Sequence, residues 1–164
     1  MQLSAPGLEF IKQWEGFRAT PYNDGYGFQT IGYGHRIQPG ERFTRLSEAD
    51  ALALLAKDIG WAQATVNQLV RVPLNQSQFD ALVSLVFNWG EANFSRSVLL
   101  SRLNSGDYHG AAERLAEHPV TSSGKFSRGL QNRRQAEAQL FRSEGLPGGG
   151  SNPTKPQRRP LLGD

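Results

Sequence analysis

Glu15, Asp24 and Thr30 lie within the stretch WEGFRATPYNDGYGFQTIGYGH, residues 14–35, where two carboxylates and a hydroxyl sit among glycines and aromatic rings. Glycosidic cleavage uses groups of this kind. One carboxylic acid protonates the leaving oxygen, and a second group holds or activates water or steadies the developing cation. Glu15 suits the acid if its surroundings keep it protonated near neutral pH. A free glutamate titrates near ~4.3, so apolar burial must supply most of the change. Trp14, Phe17 and the nearby tyrosines offer such surroundings, and the negative end of a helix dipole adds only about 0.3–1 kcal/mol. Asp24 is the natural ionised partner on a polar turn, and the Thr30 hydroxyl could orient a water. Glycines admit sugar rings to the backbone, and Tyr26, Phe28 and Tyr33 could stack on them. On spacing alone a plainer reading stands beside this one: a surface glutamate at a helix end, and a type I′ turn at Asp24-Gly25.

The elements that must position these groups can be read from periodicity and breakers. Ser4 caps a first helix, Pro6 is tolerated in its first turn, and Gly16 stops it just after Glu15. Leu8 and Ile11 follow helical spacing, which puts Glu15 at the edge of the buried stripe. Pro21, Asn23-Asp24-Gly25 and Gly27 punctuate the chain, FQTIGYG alternates as a strand, and a small antiparallel sheet fits residues 20–37. From Ser47-Glu48-Ala49-Asp50, which resembles a capping box, Leu52, Leu55, Ile59 and Val66 continue one helical face. Pro73 breaks the pattern, and Asn75 and Gln78 open the next helix with Phe79, Leu82, Val83 and Val86 inward. Short helices follow from Ser97 to Leu103 and from Asp107 to Glu117, the second stopped by Pro119. A last helix runs from Arg128 to Phe141, with Arg133, Arg134 and Glu137 expected mostly on its wet side.

At 164 residues and 18.1 kDa the chain fits one domain, with a small lobe beside it. The 38% hydrophobic content includes no 18-residue apolar run, so no membrane span is expected, and the first residues do not read as a signal peptide. Zero cysteines exclude disulfide and thiol chemistry and fit a reducing compartment. His35, His109 and His118 lack ligand-like spacing, so neither a metal nor another cofactor is expected. The net charge is +3. Residues 147–164 carry Lys155, Arg158 and Arg159 against Asp164, or 3 − 1 = +2, which leaves the rest at +1. So neutral a body is not built to blanket a nucleic acid. The tail itself, LPGGGSNPTKPQRRPLLGD from Leu146 on, is too rich in proline and glycine to bury surface and reads as a disordered basic tail.

The pattern Glu-x8-Asp-x5-Thr followed by IGYGH resembles the catalytic signature of the phage lysozymes of glycoside hydrolase family 24, the endolysins of T-even type. Three further segments, PLNQSQFDALVSLVFNWG, LLSRLNSGDYHGAAERL and RGLQNRRQAEAQLF, resemble the same family in the same order. The resemblance implies a mostly helical α+β fold over residues 1–146. It comprises a small sheet lobe at about 16–46, a helical lobe at about 70–143 plus the N-terminal helix, and a long helix between them. It also implies a muramidase that hydrolyses the β-1,4 bond between N-acetylmuramic acid and N-acetylglucosamine in peptidoglycan, with inversion. Glu15 would be the general acid, Asp24 the second carboxylate and Thr30 the group that positions water or stabilises the transition state. A monomer is implied, made in the host bacterial cytoplasm and dependent on a holin to reach the wall for lysis and phage release.

Phe87, Asn88 and Ser97 fall in segments that contact substrate in the family. Phe87 also has core spacing, Asn88 offers an amide to acetamido and hydroxyl groups, and Ser97 already has work as an N-cap. His35 is expected to support the hairpin. Arg133 matches a position near the catalytic glutamate, where a cation would favour the carboxylate and oppose the acid role; a solvated helix face is the other reading. Between Pro119 and Leu130 the family's tryptophan is missing. A lytic transglycosylase cuts the same bond with the muramic 6-hydroxyl and needs no Asp–Thr pair, so Asp24 and Thr30 favour hydrolysis. An inactive glycan- or nucleic-acid-binding module is the reading from another class.

Overall fold

The computed structural model describes residues 1–118, 121–122 and 124–147. The expected tail beyond Pro147 and the Pro119 helix stop lie outside these residues. The chain begins with α1 (Ala5–Glu15), a three-stranded antiparallel sheet of β1 (Arg18–Asn23), β2 (Gln29–Gly32) and β3 (His35–Arg36), then α2 (Glu48–Asp58) and α3 (Gly60–Leu69). It continues with α4 (Gln76–Trp89), α5 (Glu91–Ser95), α6 (Val98–Asn104), α7 (Tyr108–Glu117), a two-stranded hairpin of β4 (Thr121–Ser122) and β5 (Lys125–Phe126), and α8 (Arg128–Arg142). This is the mostly helical, lysozyme-like α+β fold that the motif resemblance implies, with its small sheet near the N-terminus.

Caps decide most boundaries. Side-chain oxygens of Ser4, Ser47, Asn75, Ser97, Asp107 and Ser127 each accept a first-turn N–H, and Asn75 with Gln78 completes a reciprocal capping box. The expected long connecting helix is interrupted at Ile59, whose ψ of −13° and N–H bonds to Leu55 and Lys57 tighten one turn before Gly60 resumes the helix as α3. Sequence periodicity passes straight through this step because Ile59 stays fully buried. The short α5 and the β4–β5 hairpin had no readable signal.

α4 is the axis of the helical part. Every residue from Ser77 to Val86 is buried, so the helix is enclosed by α1, α3 and α8. At its start, buried Asp80 accepts the backbone N–H of Ser4 at 3.1 Å, the Ser4 hydroxyl, and the Gln76 amide at 2.8 Å. A Cβ on Gly7 would lie 2.5 Å from Asp80 Cγ, so only glycine lets α1 approach α4 this closely. The anchored α1 then runs about 16 Å as a rigid rod to Glu15.

The sheet is tied to the connecting helices by a histidine. His35 on β3 is 7% exposed. Its Nδ1 lies 2.8 Å from Asp58 Oδ2 at the end of α2, and its Nε2 lies 2.8 Å from Glu41 Oε2. Burial works to lower the imidazole, but the bonds to Glu41 and Asp58 outweigh it and leave its pKa raised above the ordinary histidine value. A raised folded pKa means the clamp contributes in full below about 6.5, the unfolded value, and is lost as pH rises through the folded value. Thermal melts across pH 6–9 should therefore show a loss of stability on the alkaline side, and His35→Gln should flatten that slope. An equal slope in both proteins would show that the clamp does not titrate.

Candidate active site

Glu15 is the last residue of α1, and Gly16, with φ +63°, turns the chain out of the helix into β1. Its side chain is 21% exposed, and Oε1 accepts a bond from Arg133 Nη1 at 2.9 Å. Arg133 reaches it from α8, and the rest of its guanidinium is fully engaged. Nε donates to Glu137 Oε1 at 3.1 Å, and Nη2 donates to the Ser84 carbonyl at 3.2 Å and its hydroxyl at 3.3 Å. Ser84 Oγ in turn donates to Glu137 Oε1 at 2.7 Å, and Arg134 Nη1 donates to Glu137 Oε2 at 2.6 Å. Arg134 Nη2 completes the set on Asn88 Oδ1.

This overturns the expectation that Arg133, Arg134 and Glu137 face water: they are 4%, 2% and 0% exposed. The charges are buried because they satisfy one another and the polar groups that α4 presents. A signal was available. Stepping back from Phe141 and Ala138 by fours gives Glu137, Arg133 and Arg134, the buried face of α8. Burial pushes the Glu137 carboxyl up, against the pull of Arg134, Arg133 and Ser84. At the edge of the cluster, His118 packs at a tilt against Trp89 with ring centroids 4.1 Å apart. Burial, then the charges of Arg134 and Arg114, push its imidazole down to about 4, so it adds no further cation near neutral pH.

Asp24 follows β1 directly. The hairpin is closed by the five residues Asp24–Phe28, with Asn23 paired to Gln29, not by a two-residue type I′ turn. Asp24 Oδ1 accepts the N–H groups of Tyr26 at 2.8 Å and Phe28 at 3.2 Å, which fixes the carboxylate, and Oδ2 lies 3.7 Å from Arg36 Nε. A register shift between Arg18 and Tyr22 marks an irregularity in β1, a feature that bends a strand and re-aims its end. Thr30 on β2 pairs with Tyr22 on one side and Arg36 on the other. It is 3% exposed, and its hydroxyl has only a long 3.4 Å contact to the Phe28 carbonyl. The sheet thus brings Asp24, Thr30 and Arg36 to one hairpin, and β1 joins that hairpin to Glu15.

The remaining candidates separate. Asn88 is exposed and linked through Arg134 to the Glu15 cluster. Phe87 is half-buried, packs with Trp61 at 6.2 Å, and with Gly34, His35 and Arg36 lines a pocket of about 660 Å³. Trp61 was not singled out by sequence, since it falls on the apolar run of a helix. Ser97 is buried and its hydroxyl is occupied, accepting from Leu100 N–H at 3.0 Å and donating to the Phe94 carbonyl at 2.7 Å. Tyr33, expected to stack on sugar, is buried against Phe17; Tyr26 and Phe28 are the exposed rings. Among the described residues no cluster of three or more His, Asp or Glu could hold a metal ion.

A helix-end glutamate, a turn-held aspartate and a nearly free threonine hydroxyl are the kinds of group that a carboxylate glycosidase uses. The chain belongs to the phage lysozyme family, whose profile matches residues 12–137. It is 43% identical over 148 residues to the endolysin of Acyrthosiphon pisum secondary endosymbiont phage 1, covering 87% of this chain and 99% of that one. The endolysin from Escherichia coli O157:H7 phage FAHEc1 superposes with a TM-score of 0.79 at 37% identity, covering 90% of this chain and 97% of that chain. The muramidase domain of SpmX from Asticaccaulis excentricus superposes at 0.76 with 37% identity, covering 85% and 97%.

Removing one member of a buried ionic network leaves the others uncompensated, at a cost of about 3–5 kcal/mol. Arg133→Ala should therefore lower unfolding stability by that order in a urea titration. A loss within measurement error would show that solvent reaches the pair.

Proposed function

We propose that this endolysin is a muramidase, and that Glu15, Asp24 and Thr30 cleave the β-1,4 bond between N-acetylmuramic acid and N-acetylglucosamine in peptidoglycan. The observation that carries the reading is the single bond from Arg133 to Glu15. It engages Oε1 and leaves Oε2 without a partner among the described residues, so Oε2 can carry the proton for the leaving oxygen. As the glycosidic C–O bond breaks, that proton passes to the departing sugar. Asp24 steadies the positive charge developing on the ring and accepts a proton from the attacking water, which the Thr30 hydroxyl orients. The sheet at residues 16–46 forms one wall of the substrate cleft. The helical part at 70–143, with α1, forms the other. Asn88 and Phe87 contact the glycan, and Ser97 shapes its wall as a cap. Asp24 and Thr30 support hydrolysis over transglycosylation, which requires neither.

The three groups should fail differently. Glu15→Gln keeps size but delivers no proton, so muropeptide release should fall by about 10²–10⁴-fold or more with the fold intact by circular dichroism. Asp24→Asn should cost less than that, and Thr30→Ala should lower turnover while glycan binding survives. Reducing ends in the released muropeptides, seen by mass spectrometry, mark hydrolysis, and 1,6-anhydro ends would replace this reading with a transglycosylase. A folded Glu15→Gln protein that clears permeabilised cells at the wild-type rate would sink the assignment.

Access to the wall is a separate step. No helix among the described residues is long and apolar enough to cross a membrane. The enzyme is a monomer synthesised in the host cytoplasm and admitted to the wall by a holin lesion. Expressed alone in a Gram-negative host, it should leave culture turbidity unchanged until the inner membrane is permeabilised. Lysis without a membrane lesion would point to another route.

A further inference from the structure

Glu137 makes no hydrogen bond to Glu15, yet it is fully buried in the centre of the cluster that holds it. Its oxygens divide the work: Oε1 receives Arg133 Nε and the Ser84 hydroxyl, and Oε2 receives Arg134 Nη1. With Nε held by Glu137 and Nη2 held by Ser84, only Nη1 of Arg133 remains for Glu15. An unrestrained arginine grips a carboxylate with two parallel N–H bonds, and such a fork would cover both oxygens of Glu15.

We propose that Glu137 is a positioning residue for catalysis, restraining Arg133 to one oxygen of Glu15 and cancelling one of the two positive charges beside the acid. The inference rests on Glu15 acting as the general acid. The charged and polar neighbours of the cluster can be named element by element. α1 contributes Glu15, α4 contributes Ser84 and Asn88, which are neutral, and α8 contributes Arg133, Arg134 and Glu137 themselves. His118, just past the end of α7, is neutral near pH 7, and α7 carries Arg114, which is paired to Glu117 at 3.2 Å. The two guanidiniums and Glu137 thus leave Glu15 facing one net positive charge. Without Glu137 it faces two; without Arg134 it faces none. Each added positive charge favours the ionised form of the acid, which cannot donate.

The alkaline limb of kcat/KM on purified peptidoglycan reports when the free enzyme's acid loses its proton. In the full chain, Glu137→Gln should move that limb to lower pH by about one unit or more, the scale of one added charge within a few ångströms. Arg134→Met should move it the opposite way, and the double variant Arg134→Met/Glu137→Gln, with net charge restored, should bring it back. A packing defect lowers the melting temperature but does not reverse the sign of the pH displacement between the two single variants. Should Glu137→Gln fail to fold, Arg134→Met alone decides, because its upward displacement is expected only if the pair sets the charge at Glu15. An unmoved limb in either folded single variant overturns the proposal while an inactive Glu15→Gln protein leaves the site assignment standing. An active Glu15→Gln protein removes both.

Discussion

One buried guanidinium ties together the helices that make the site. Arg133 sits on α8, bonds Ser84 on α4 and reaches Glu15 at the end of α1, so three helices are registered by a single planar group with fixed donor directions. Burying such a charge is costly unless every donor finds an acceptor, and here each nitrogen has one. The constraint reaches outward from there. Ser84 and Asn88 must face α8 one helical turn apart on α4, and Glu137 must sit four residues after Arg133. α1 must end where its last side chain meets the guanidinium, which the close Gly7–Asp80 approach and the Ser4 cap arrange at the other end of the same helix. Arrangements of this kind add little net stability over an apolar core of equal volume, so their value lies in fixing geometry.

The sheet positions its groups by a different physics. Asp24 is held by backbone N–H groups of its own hairpin loop, a local device that needs no partner from the helices. Thr30 is placed by register, since its neighbours Tyr22 and Arg36 are its pairing partners on either side. What joins this local unit to the helices is the His35 clamp between Glu41 and Asp58, together with Tyr33 and Ala51 in the common core. Glu15 is therefore placed by a long-range contact with α8, and Asp24 by short-range turn chemistry. That division matches their proposed duties, since one group is placed by helices packed from distant parts of the chain and the other by its own loop.

Local features were legible in the sequence because local physics determines them. Ser4, Ser47, Asn75, Ser97 and Asp107 marked helix starts, and Gly16 marked a stop, since a cap or a breaker acts within a few residues. The Glu15–Asp24–Thr30 spacing was equally visible, because one helix end, one hairpin loop and one strand carry it along a continuous stretch of chain. What only the tertiary structure decided are pairings between segments far apart. The charged letters of α8 read as a wet face until α4 supplied Ser84 and Asn88, and α1 supplied Glu15, 118 residues away from Arg133. Tyr33 read as a sugar platform until Phe17 covered it. Polarity in a sequence states that a side chain needs a partner. Whether that partner is water or another buried side chain depends on which surfaces meet when the chain folds.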